Sequence, residues 1–524
     1  MNCITEIRLS NFKRFQNFSV SVDPKLNLFI GDNEAGKSTL LLAIDLTVSG
    51  SRYKVEHFGL EHLFNIECII DFLNSNRKYL DLPQIVIELY FNDKPNEFIN
   101  GKNNFSKQER NGIKLVCAPN PEYSKVITDI LKDPNCIFPF EFYSIDFTTF
   151  AGNSYNSYTK SLKHILIDNS QINSEYAMNN YIKEIYQSTI SELSEKFIHQ
   201  HQYRLSKTGF KNNSLTDINE RLLRIGQYSF GIKSNSKSNL ETDLTIYDGD
   251  VTIENKGKGR QCMIKTQLAL TKNQNDLEVV LLEEPENHLS HLNMQMLINK
   301  INESDDKQIF IATHSNTISS RLDLRHCILV NSNSTVPVKL DDIDSTTANY
   351  FMKAPDQNLL QFILSKKVIL VEGDAEYILL EYFYNKSTNQ HLKANGICIL
   401  SVDGTSFKRY LDIAIHLKIK TAVITDNDKD YNANIIENYS NYLQSNIKVF
   451  SDSDNSRSTF EICVYDDNQN ACDGLFQAGR KSLTVLEYML KNKTEAALKL
   501  LEAKSIDLIC PQYIAEAFEW ITKN

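Results

Sequence analysis

The chain has 524 residues, which is long enough for two or three domains that each bury a core of their own. Hydrophobic residues make up 41% and charged residues 23%, as in an ordinary globular protein, and the net charge of −10 provides no overall basic field that would attract nucleic acid. A basic groove on an acidic body remains compatible with this charge. The ten cysteines form no C-x-x-C pair, which argues against structural zinc and favours reduced thiols.

The N-terminal residues show no signal pattern, and their alternation predicts strands. Residues 1–6 lack a basic-then-apolar signal pattern, and no apolar run approaches the ~18 residues that a membrane span needs, so we expect a cytoplasmic protein without a membrane partner. Period-two alternation over residues 3–22 predicts two antiparallel strands. The turn between them, Asn11–Phe15, carries two cations. It is either a solvated turn or a contact to nucleotide or DNA.

A phosphate-binding loop follows the second strand. Residues 31–38 match the pattern G-x-x-x-x-G-K-[ST], with an apolar stretch before them and a helical run after them. The glycines let backbone N–H groups turn toward phosphate oxygens, and the helix start adds its positive dipole end. This pattern predicts a nucleotide site in which Lys37 reaches the β- and γ-phosphates and Ser38 ligates Mg²⁺. The expected nucleotide-contacting residues are Gly31, Asn33, Glu34, Ala35, Gly36, Lys37, Ser38 and Thr39.

The middle of the chain carries little chemistry. Residues 152–180 are rich in Asn, Ser and Tyr and suggest a junction. Apolar residues then recur at helical spacing from Tyr181 to Phe197, which predicts one amphipathic helix inserted into the ATPase fold. Its apolar stripe would pair with a second copy of the chain or pack within one chain.

Two buried-type strands supply the rest of a nucleotide site. Residues 279–282 are four consecutive apolar residues that lead into Glu283 and Glu284, and residues 308–313 lead into His314. Ligands gather at such strand ends in α/β sheets. Glu283 is therefore expected to hold Mg²⁺, Glu284 to polarise the attacking water, and His314 to sense the γ-phosphate.

A second acidic site is predicted in the C-terminal half. The strand at residues 367–371 runs into Glu372, with Glu376 four residues beyond, and the strand at residues 421–425 ends in Asp426 and Asp428. Four acids at one sheet edge would repel one another unless cations relieved the charge. Oxygen-only ligation suits Mg²⁺ or Mn²⁺, and two such ions are able to clamp the attacking and leaving oxygens of a phosphodiester.

The N-terminal motifs together resemble the ABC-type ATPase head of recombination and chromosome-maintenance proteins. In that family the glycine-rich segment before the second acidic strand grips the ATP bound by a partner subunit. The resemblance implies this role for Lys258, Gly259, Arg260 and Gln261. Glu283 replaces the usual Asp, and the segment at residues 255–261 replaces the usual Leu-Ser-Gly-Gly type of signature.

The pattern Glu-Gly-x-x-Glu followed by Asp-x-Asp resembles the Toprim fold. Behind an ABC-type head, this order resembles the overcoming-lysogenization-defect (OLD) nucleases, which include the Gabija nuclease subunit and retron-linked effectors. The resemblance implies an α/β fold: ATPase head at 1–150 and 226–350, a helical dimerisation insert at 151–225, and a Rossmann-like Toprim domain at 360–524. It also implies a late metal-binding acid at Glu461 and a catalytic lysine at Lys493, with Lys481 as the alternative.

We therefore expect an ATP-regulated DNA endonuclease that works as a homodimer or higher oligomer. Its cofactors would be ATP with one Mg²⁺ and two Mg²⁺ or Mn²⁺ ions in the Toprim site. By family analogy it would act in antiviral defence, with a helicase or a retron nucleic acid and reverse transcriptase as operon partner. The alternatives are a clamp-like DNA-repair ATPase with a non-cutting Toprim scaffold, a sensor subunit triggered by a partner and, third, Toprim strand passage or primer synthesis.

Overall fold

The computed structural model describes residues 3–94, 96–169, 175–190, 192–224, 227–233, 239–271, 277–331, 336–354, 358–402, 406–477, 482–503 and 507–523. The chain forms two compact units. The first comprises Met1–Ile318 with His326–Pro337, and the second comprises Ser319–Arg325 with Val338–Asn524. None of the described helices is both long and apolar enough to cross a membrane.

Among the described residues, the first unit contains two large sheets, one short two-stranded antiparallel sheet and the helices around them. Its strands are β1 (Ile4–Phe12), β2 (Phe15–Ser21), β3 (Leu26–Ile30), β4 (Ile85–Phe91), β5 (Asn100–Gly101), β6 (Arg110–Pro119), β7 (Tyr143–Thr149), β8 (His164–Asp168), β9 (Tyr247–Asp248), β10 (Val251–Thr252), β11 (Val279–Glu283), β12 (Gln308–Thr313) and β13 (Cys327–Leu329). Its helices are α1 (Lys37–Ser49), α2 (Arg52–Phe58), α3 (Leu60–Leu63), α4 (Ile66–Asn74), α5 (Ser124–Leu131), α6 (Glu175–Thr189), α7 (Leu193–Ser214), α8 (Thr216–Leu223), α9 (Leu240–Asp243), α10 (Lys258–Leu270) and α11 (His291–Glu303), and α12 (Asn316–Arg321) runs into the second unit.

One large sheet of the first unit is antiparallel and the other is parallel. In the antiparallel sheet β2, β1, β4 and β6 are neighbours in that order, and β7 also pairs with β6. In the parallel sheet the order is β13, β3, β12, β11 and β8. Helix α1 packs against strands of both sheets, and ten of its thirteen residues are buried. A helix that is apolar nearly all round belongs in such an interior position.

The second unit has one four-stranded parallel sheet. Its strands are β15 (Lys367–Val371), β16 (Ile397–Ser401), β17 (Lys420–Ile424) and β18 (Ile447–Phe450), and their order across the sheet is β16, β15, β17, β18. The short strand β14 (Val338–Lys339) precedes them in the chain and is not part of this sheet. Its helices are α13 (Ser345–Lys353), α14 (Leu359–Leu364), α15 (Asp374–Thr388), α16 (Phe407–Leu417), α17 (Phe460–Asp467), α18 (Gln469–Phe476), α19 (Val485–Lys491), α20 (Lys493–Glu502) and α21 (Gln512–Thr522). A core that includes α15, α17, α20 and α21 covers the sheet.

The structure corrects two expectations for the middle of the chain. The segment taken as a junction contains β8, which pairs in parallel with β11 and extends the ATPase sheet. The single helix expected from Tyr181 to Phe197 is two helices, because α6 ends at Thr189 and α7 begins at Leu193. At the end of α6 the hydroxyls of Ser188 and Thr189 both donate to the carbonyl of Ile185, a local bond that competes with helix propagation.

A buried ion cluster anchors α1 to its surroundings. Asp45 on α1 is 1% exposed, and its Oδ1 lies 2.7 Å from Lys54 Nζ and 2.9 Å from His164 Nε2 on β8. Burial opposes the charged carboxylate, but Lys54 and His164 hold the pKa of Asp45 well below its usual range.

We predict that Asp45→Ala lowers the free energy of unfolding by about 3 kcal/mol, because it leaves a void in which Lys54 loses its counter-ion and His164 loses its hydrogen-bond partner. Urea unfolding followed by circular dichroism measures the change. The matched control is Asp305→Ala, which removes an ion pair with Lys25 whose side chains are 66% and 65% exposed. That control should change stability by less than about 1 kcal/mol. Equal effects of the two substitutions would contradict the prediction.

Candidate functional site

The phosphate loop lies between β3 and α1 and depends on two glycines. A Cβ atom on Gly31 would lie 2.1 Å from the carbonyl oxygen of Val330, and one on Gly36 would lie 2.6 Å from the Phe15 ring. Gly36 also adopts a φ of 99°, which favours glycine. The predicted strand, loop and helix are thus present, and the close approach of neighbouring backbone and ring requires glycine at both positions.

The Lys37 side chain lies inside this loop and bonds to its backbone. Its Nζ donates to the carbonyl oxygens of Gly31 and Asp32, each at 2.8 Å. Burial lowers the pKa of Lys37, and the nearby carboxylate of Glu284 opposes that shift. The ammonium therefore sits at the centre of the loop next to an acid of the neighbouring strands, where a phosphate group would meet it.

The remaining loop residues differ in exposure. Ala35 is buried, and its N–H donates to Asp32 O at 3.2 Å, whereas Asn33, Glu34 and Ser38 are exposed and Thr39 is half-buried. Arg14, one of the two cations of the β1–β2 turn, donates to the carbonyl oxygen of Glu34 at 2.8 Å. The turn therefore lies against the phosphate loop and is not a free solvated turn, whereas its contact with nucleotide or DNA stays a prediction.

The strand order brings the other predicted ATPase residues to the same edge. Because β12 lies between β3 and β11, His314 at the end of β12 stands between the phosphate loop and Glu284 at the end of β11. His314 Nδ1 lies 3.5 Å from Glu284 Oε1, and Asn287 Nδ2 donates to Glu284 Oε2 at 2.7 Å. Glu284 has a φ of 43°, an uncommon backbone conformation for this residue type. Such strained residues cluster at active sites.

Glu283 faces Ser38 and a carboxylate that the sequence analysis missed. The Ser38 hydroxyl hydrogen-bonds to Glu283, while burial and the nearby Asp168 raise the pKa of Glu283. Asp168 is paired with Glu283 in register between β8 and β11. The signal that could have revealed it is the apolar run before Asp168, which resembles the run before Glu283 but stands in a polar context.

The glycine-rich segment at residues 255–261 leads into α10 and forms its first turn from Lys258 onward. A Cβ on Gly259 would lie 2.4 Å from the carbonyl oxygen of His288, so glycine permits close packing there. Arg260 makes two hydrogen bonds to Asp248, at 3.0 and 3.1 Å. Gln261 is 6% exposed, and its Nε2 donates to Glu254 O and Lys256 O. Gln261 therefore supports the loop that precedes its own helix. Lys258, in contrast, is exposed.

In the second unit the predicted acids meet at the C-terminal ends of parallel strands. Val371 of β15 pairs with Ile424 of β17, so Glu372 and Asp426 follow two adjacent strands at one sheet edge. Glu376 lies in the first turn of α15, and Thr425 Oγ1 donates to Glu372 Oε2 at 3.4 Å. The topology therefore places carboxylates from a strand end, a helix start and a second strand end together.

The electrostatics of this edge show how closely the acids interact. Burial and the acids around it raise the pKa of Asp426 to about 8. Burial and the charges of Glu461 and Glu372 raise the pKa of Glu376 to about 7. The pKa of Glu372 is also raised, by burial and by Asp428.

Glu461 and Lys493 join this cluster from two helices. Glu461, in the first turn of α17, is 3% exposed, and Lys493 Nζ at the start of α20 lies 3.1 Å from its Oε2. Among the described residues neither Glu461 oxygen has a well-directed hydrogen-bond donor. The alternative lysine, Lys481, lies outside the described residues. Phe460 N–H donates to Asp426 Oδ1 at 2.8 Å, which ties α17 to the end of β17.

The donor set fits hard divalent cations. It contains only carboxylate oxygens, which are the ligands that Mg²⁺ and Mn²⁺ prefer. The raised pKa values of the buried acids indicate a cluster whose negative charge exceeds the positive charge that Lys493 supplies. In the described part of the chain no three His, Cys, Asp or Glu side chains stand close enough to grip one ion as they are placed. Asp428 is exposed at this edge, and its negative charge acts on Glu372.

Comparison with known proteins identifies both units. The AAA ATPase domain model matches residues 3–214. The model described as "Overcoming lysogenization defect protein-like, TOPRIM domain" matches residues 363–428, from the residues before β15 to Asp428. The chain carries an AAA ATPase domain and an OLD-like TOPRIM domain. Both resemblances inferred from the motifs, and the α/β fold class, are thereby confirmed. Glu461 and Lys493 lie beyond the second match.

Individual relatives are distant. The DNA replication and repair protein RecF of Alkaliphilus oremlandii (strain OhILAs) is 33% identical over 54 residues, which is 10% of this chain and only 15% of that relative. The C-terminal region of the Burkholderia pseudomallei OLD protein is 21% identical, with a TM-score of 0.25, and covers 30% of this chain and 97% of its own. A structure of the recombination mediator protein RecF with ATP is 11% identical, with a TM-score of 0.36, and the match covers 63% of this chain and 98% of that one.

The acid cluster predicts an unusual pH dependence for the metal-free protein. The pKa of Asp426 is about 8 in the folded chain against 3.8 for a free side chain, so between these values the folded state holds a proton that the unfolded state has released. The unfolding free energy therefore falls as pH rises through this window, by at most about 1.4 kcal/mol per pH unit from this group.

Thermal unfolding in a chelator at about pH 6 and about pH 8.5 tests this prediction. We expect a lower Tm at the higher pH and a smaller difference in Asp426→Asn, which cannot ionise. Added Mg²⁺ should raise the Tm most at the higher pH, where the acids are charged. The prediction would be contradicted if, in the chelator, the Tm of the wild-type protein changed between the two pH values in the same way as the Tm of Asp426→Asn.

Proposed function

We propose that the protein is an ATP-regulated, metal-dependent DNA endonuclease. The observation that carries this proposal is the convergence of Glu372, Glu376, Asp426 and Glu461 with Lys493 at one end of the parallel sheet in the TOPRIM unit. Five acids, including Asp428, would hold two Mg²⁺ or Mn²⁺ ions. When bound, such ions supply a nucleophilic hydroxide near neutral pH and neutralise charge on the phosphodiester.

The chain's own residues supply the remaining requirements. Lys493 Nζ lies beside the acids as a point charge on a half-exposed side chain, which suits it to stabilise the extra negative charge of a phosphorane. Thr425 and the Phe460 N–H orient Glu372 and Asp426, so that these carboxylates present fixed oxygens. Substrate phosphates would approach from the open edge of the sheet, because ligands bind beyond the carboxyl ends of parallel strands.

The ATPase unit would control this cleavage. In our proposal Lys37 binds the β- and γ-phosphates, Ser38 and Glu283 hold the Mg²⁺ of ATP, Glu284 acts as general base and His314 contacts the γ-phosphate. The 3.5 Å approach of His314 to Glu284 supports a shared site for the last two roles. By its resemblance to OLD nucleases, the protein would act as a homodimer or larger assembly in antiviral defence, with an operon-encoded partner or nucleic acid as trigger.

We predict that the purified protein nicks or linearises supercoiled plasmid in the presence of Mn²⁺, and that Asp426→Ala slows this cleavage by roughly 100-fold, because it removes a metal ligand. Gel electrophoresis of the plasmid forms measures the rate. Glu519→Ala is the matched control, since Glu519 is an acid of the same unit that is 75% exposed and lies 3.9 Å from Lys523. Cleavage that survives Asp426→Ala would assign the activity to a contaminant or to another site.

We predict that Glu284→Gln lowers ATP hydrolysis by at least about 100-fold while nucleotide still binds, because the amide keeps the shape but cannot take a proton. Lys37→Ala should instead weaken nucleotide binding itself. Phosphate release and binding of a fluorescent ATP analogue separate the two effects, with Asp305→Ala as a control on the same unit. Wild-type hydrolysis in Glu284→Gln would remove Glu284 from the proposed role.

The segment similar to RecF favours a second candidate, a DNA-repair ATPase whose TOPRIM unit does not cut. The plasmid assay separates the two candidates. A repair ATPase would hydrolyse ATP in a DNA-stimulated manner and leave the plasmid supercoiled in Mn²⁺ at every nucleotide state.

A further inference from the structure

The turn that follows β17 has an uncommon backbone. Asp428 has a φ of 50° and Lys429 a φ of 70°, so two consecutive residues with Cβ atoms occupy the left-handed region. L-residues rarely adopt this conformation twice in succession, and it persists only where surrounding contacts hold it. The turn carries Asp428, one of the five acids of the proposed metal site, so whatever holds the turn also decides where this carboxylate lies.

The side chain that holds this turn is Asn427. It is 1% exposed, and its Nδ2 donates to the carbonyl oxygens of Asp452 at 2.8 Å and Asp454 at 3.0 Å. Its Oδ1 accepts from the N–H of Lys429 at 2.9 Å. Two carbonyls on one side and an N–H on the other are compatible with only one orientation of the amide. The carbonyl oxygen of Asn427 accepts in addition from the N–H of Asp430 at 2.9 Å.

The segment that Asn427 grips leads directly to Glu461. Arg457 Nε donates to Asp452 Oδ2 at 2.7 Å, and the Arg457 N–H donates to Asp454 O at 3.0 Å, so this segment has its own internal order. Further along, Ser458 O accepts from the N–H of Asp428 at 3.3 Å. The amide of Asn427 is therefore a buried side-chain link between the turn that bears Asp428 and the segment that leads to Glu461 in α17, and it adds to the backbone bond between Asp428 and Ser458.

We propose that Asn427 is a positioning residue that fixes the spacing between Asp428 and Glu461. This spacing then determines how tightly the proposed site binds the second of its two divalent cations. This inference rests on the proposed metal-dependent nuclease. Asn427 contacts no reacting group and acts only through the two acid-bearing segments that it joins. Groups that orient metal ligands in this way typically change metal affinity by 10- to 100-fold when they are removed.

The test compares two buried amides of the same unit. Asn427→Ala removes the link beside the acids. Asn468→Ala is the matched control, because Asn468 is 6% exposed and its Nδ2 likewise donates to two carbonyls, those of Val464 and Ile509. Its Oδ1 likewise accepts from a backbone N–H, that of Ile509. Mn²⁺ is titrated into the chelator-treated full-length protein, and the half-saturating concentration is read from the rise in Tm, a readout that needs no cleavage.

We expect both substitutions to lower the Tm of the metal-free protein, and only Asn427→Ala to raise the half-saturating Mn²⁺ concentration, by at least about 10-fold. The second variant, Asn427→Ala with Lys429→Gly, should recover part of the lost affinity, because glycine adopts the left-handed conformation without the amide. A structural role alone would show no such rescue. If Asn427→Ala binds Mn²⁺ as tightly as the wild type, the positioning role is refuted while the metal site stands.

Two further outcomes are decisive. If the two alanine variants weaken Mn²⁺ binding equally, general loosening of the unit explains the effect and the specific role fails. If the wild-type protein itself shows no Mn²⁺-dependent rise in Tm, the proposed metal site fails and takes this inference with it. That result is distinct from a failure of the positioning role alone, in which the wild type responds to Mn²⁺. Should Asn427→Ala not fold, the double variant with Lys429→Gly is compared with the wild type in its place.

Discussion

The arrangement of the second unit depends on like charges held together where water is scarce. Several carboxylates at one edge of a sheet are stable only if protons, a cationic side chain or metal ions reduce their mutual repulsion. The metal-free chain uses the first two means: the pKa values of Glu376 and Asp426 are raised to about 7 and about 8, which favours their protonated forms below neutral pH, and Lys493 lies 3.1 Å from Glu461. This unfavourable cluster would be hard to explain as a structural feature, because apolar side chains of similar size would pack there at lower cost.

Both units solve the problem of gathering distant residues in the same way. Parallel strands all end at one edge, so residues far apart in sequence meet wherever their strands are neighbours. In the ATPase unit this edge joins Lys37, Glu284 and His314 through the order β3, β12, β11. In the TOPRIM unit it joins Glu372 to Asp426 through the pairing of β15 with β17. Helix starts add Glu376, Glu461 and Lys493, which strands alone could not bring near.

The sequence was most informative where a residue pattern has one physical solution. A glycine-rich loop between an apolar strand and a helix, or acids directly after four or five apolar residues, specifies both the element and its functional end. A short strand in a polar context gives no such pattern, as for β8 and therefore Asp168. The break between α6 and α7, where hydroxyl groups bond locally to the backbone, is equally hidden in the sequence. No periodic pattern marks such breaks.

Residues that act through tertiary contacts were the hardest to recognise. Asn427 stands between two predicted acids and has no pattern of its own, and only the fold shows that its amide joins two segments about twenty-five residues apart. Gln261 shows the opposite case, since a motif suggested an outward role whereas its side chain bonds to the backbone of the preceding loop. A motif indicates which side chains a reaction requires. The direction of each side chain follows from its burial and its hydrogen-bond partners, which the motif does not contain.

The charge state of the acid cluster also bears on how the two metal positions would differ. Lys493 already balances Glu461, whereas Asp426 is the acid whose pKa is raised furthest, to about 8. A cation bound near Asp426 and Glu372 would replace protons and gain the most electrostatic stabilisation, and its binding would release those protons to solvent. A cation near Glu461 would instead have to share that carboxylate with the ammonium of Lys493. The position beside Asp426 should therefore fill first, and the position beside Glu461 is the one whose occupancy depends most on the spacing of the surrounding segments.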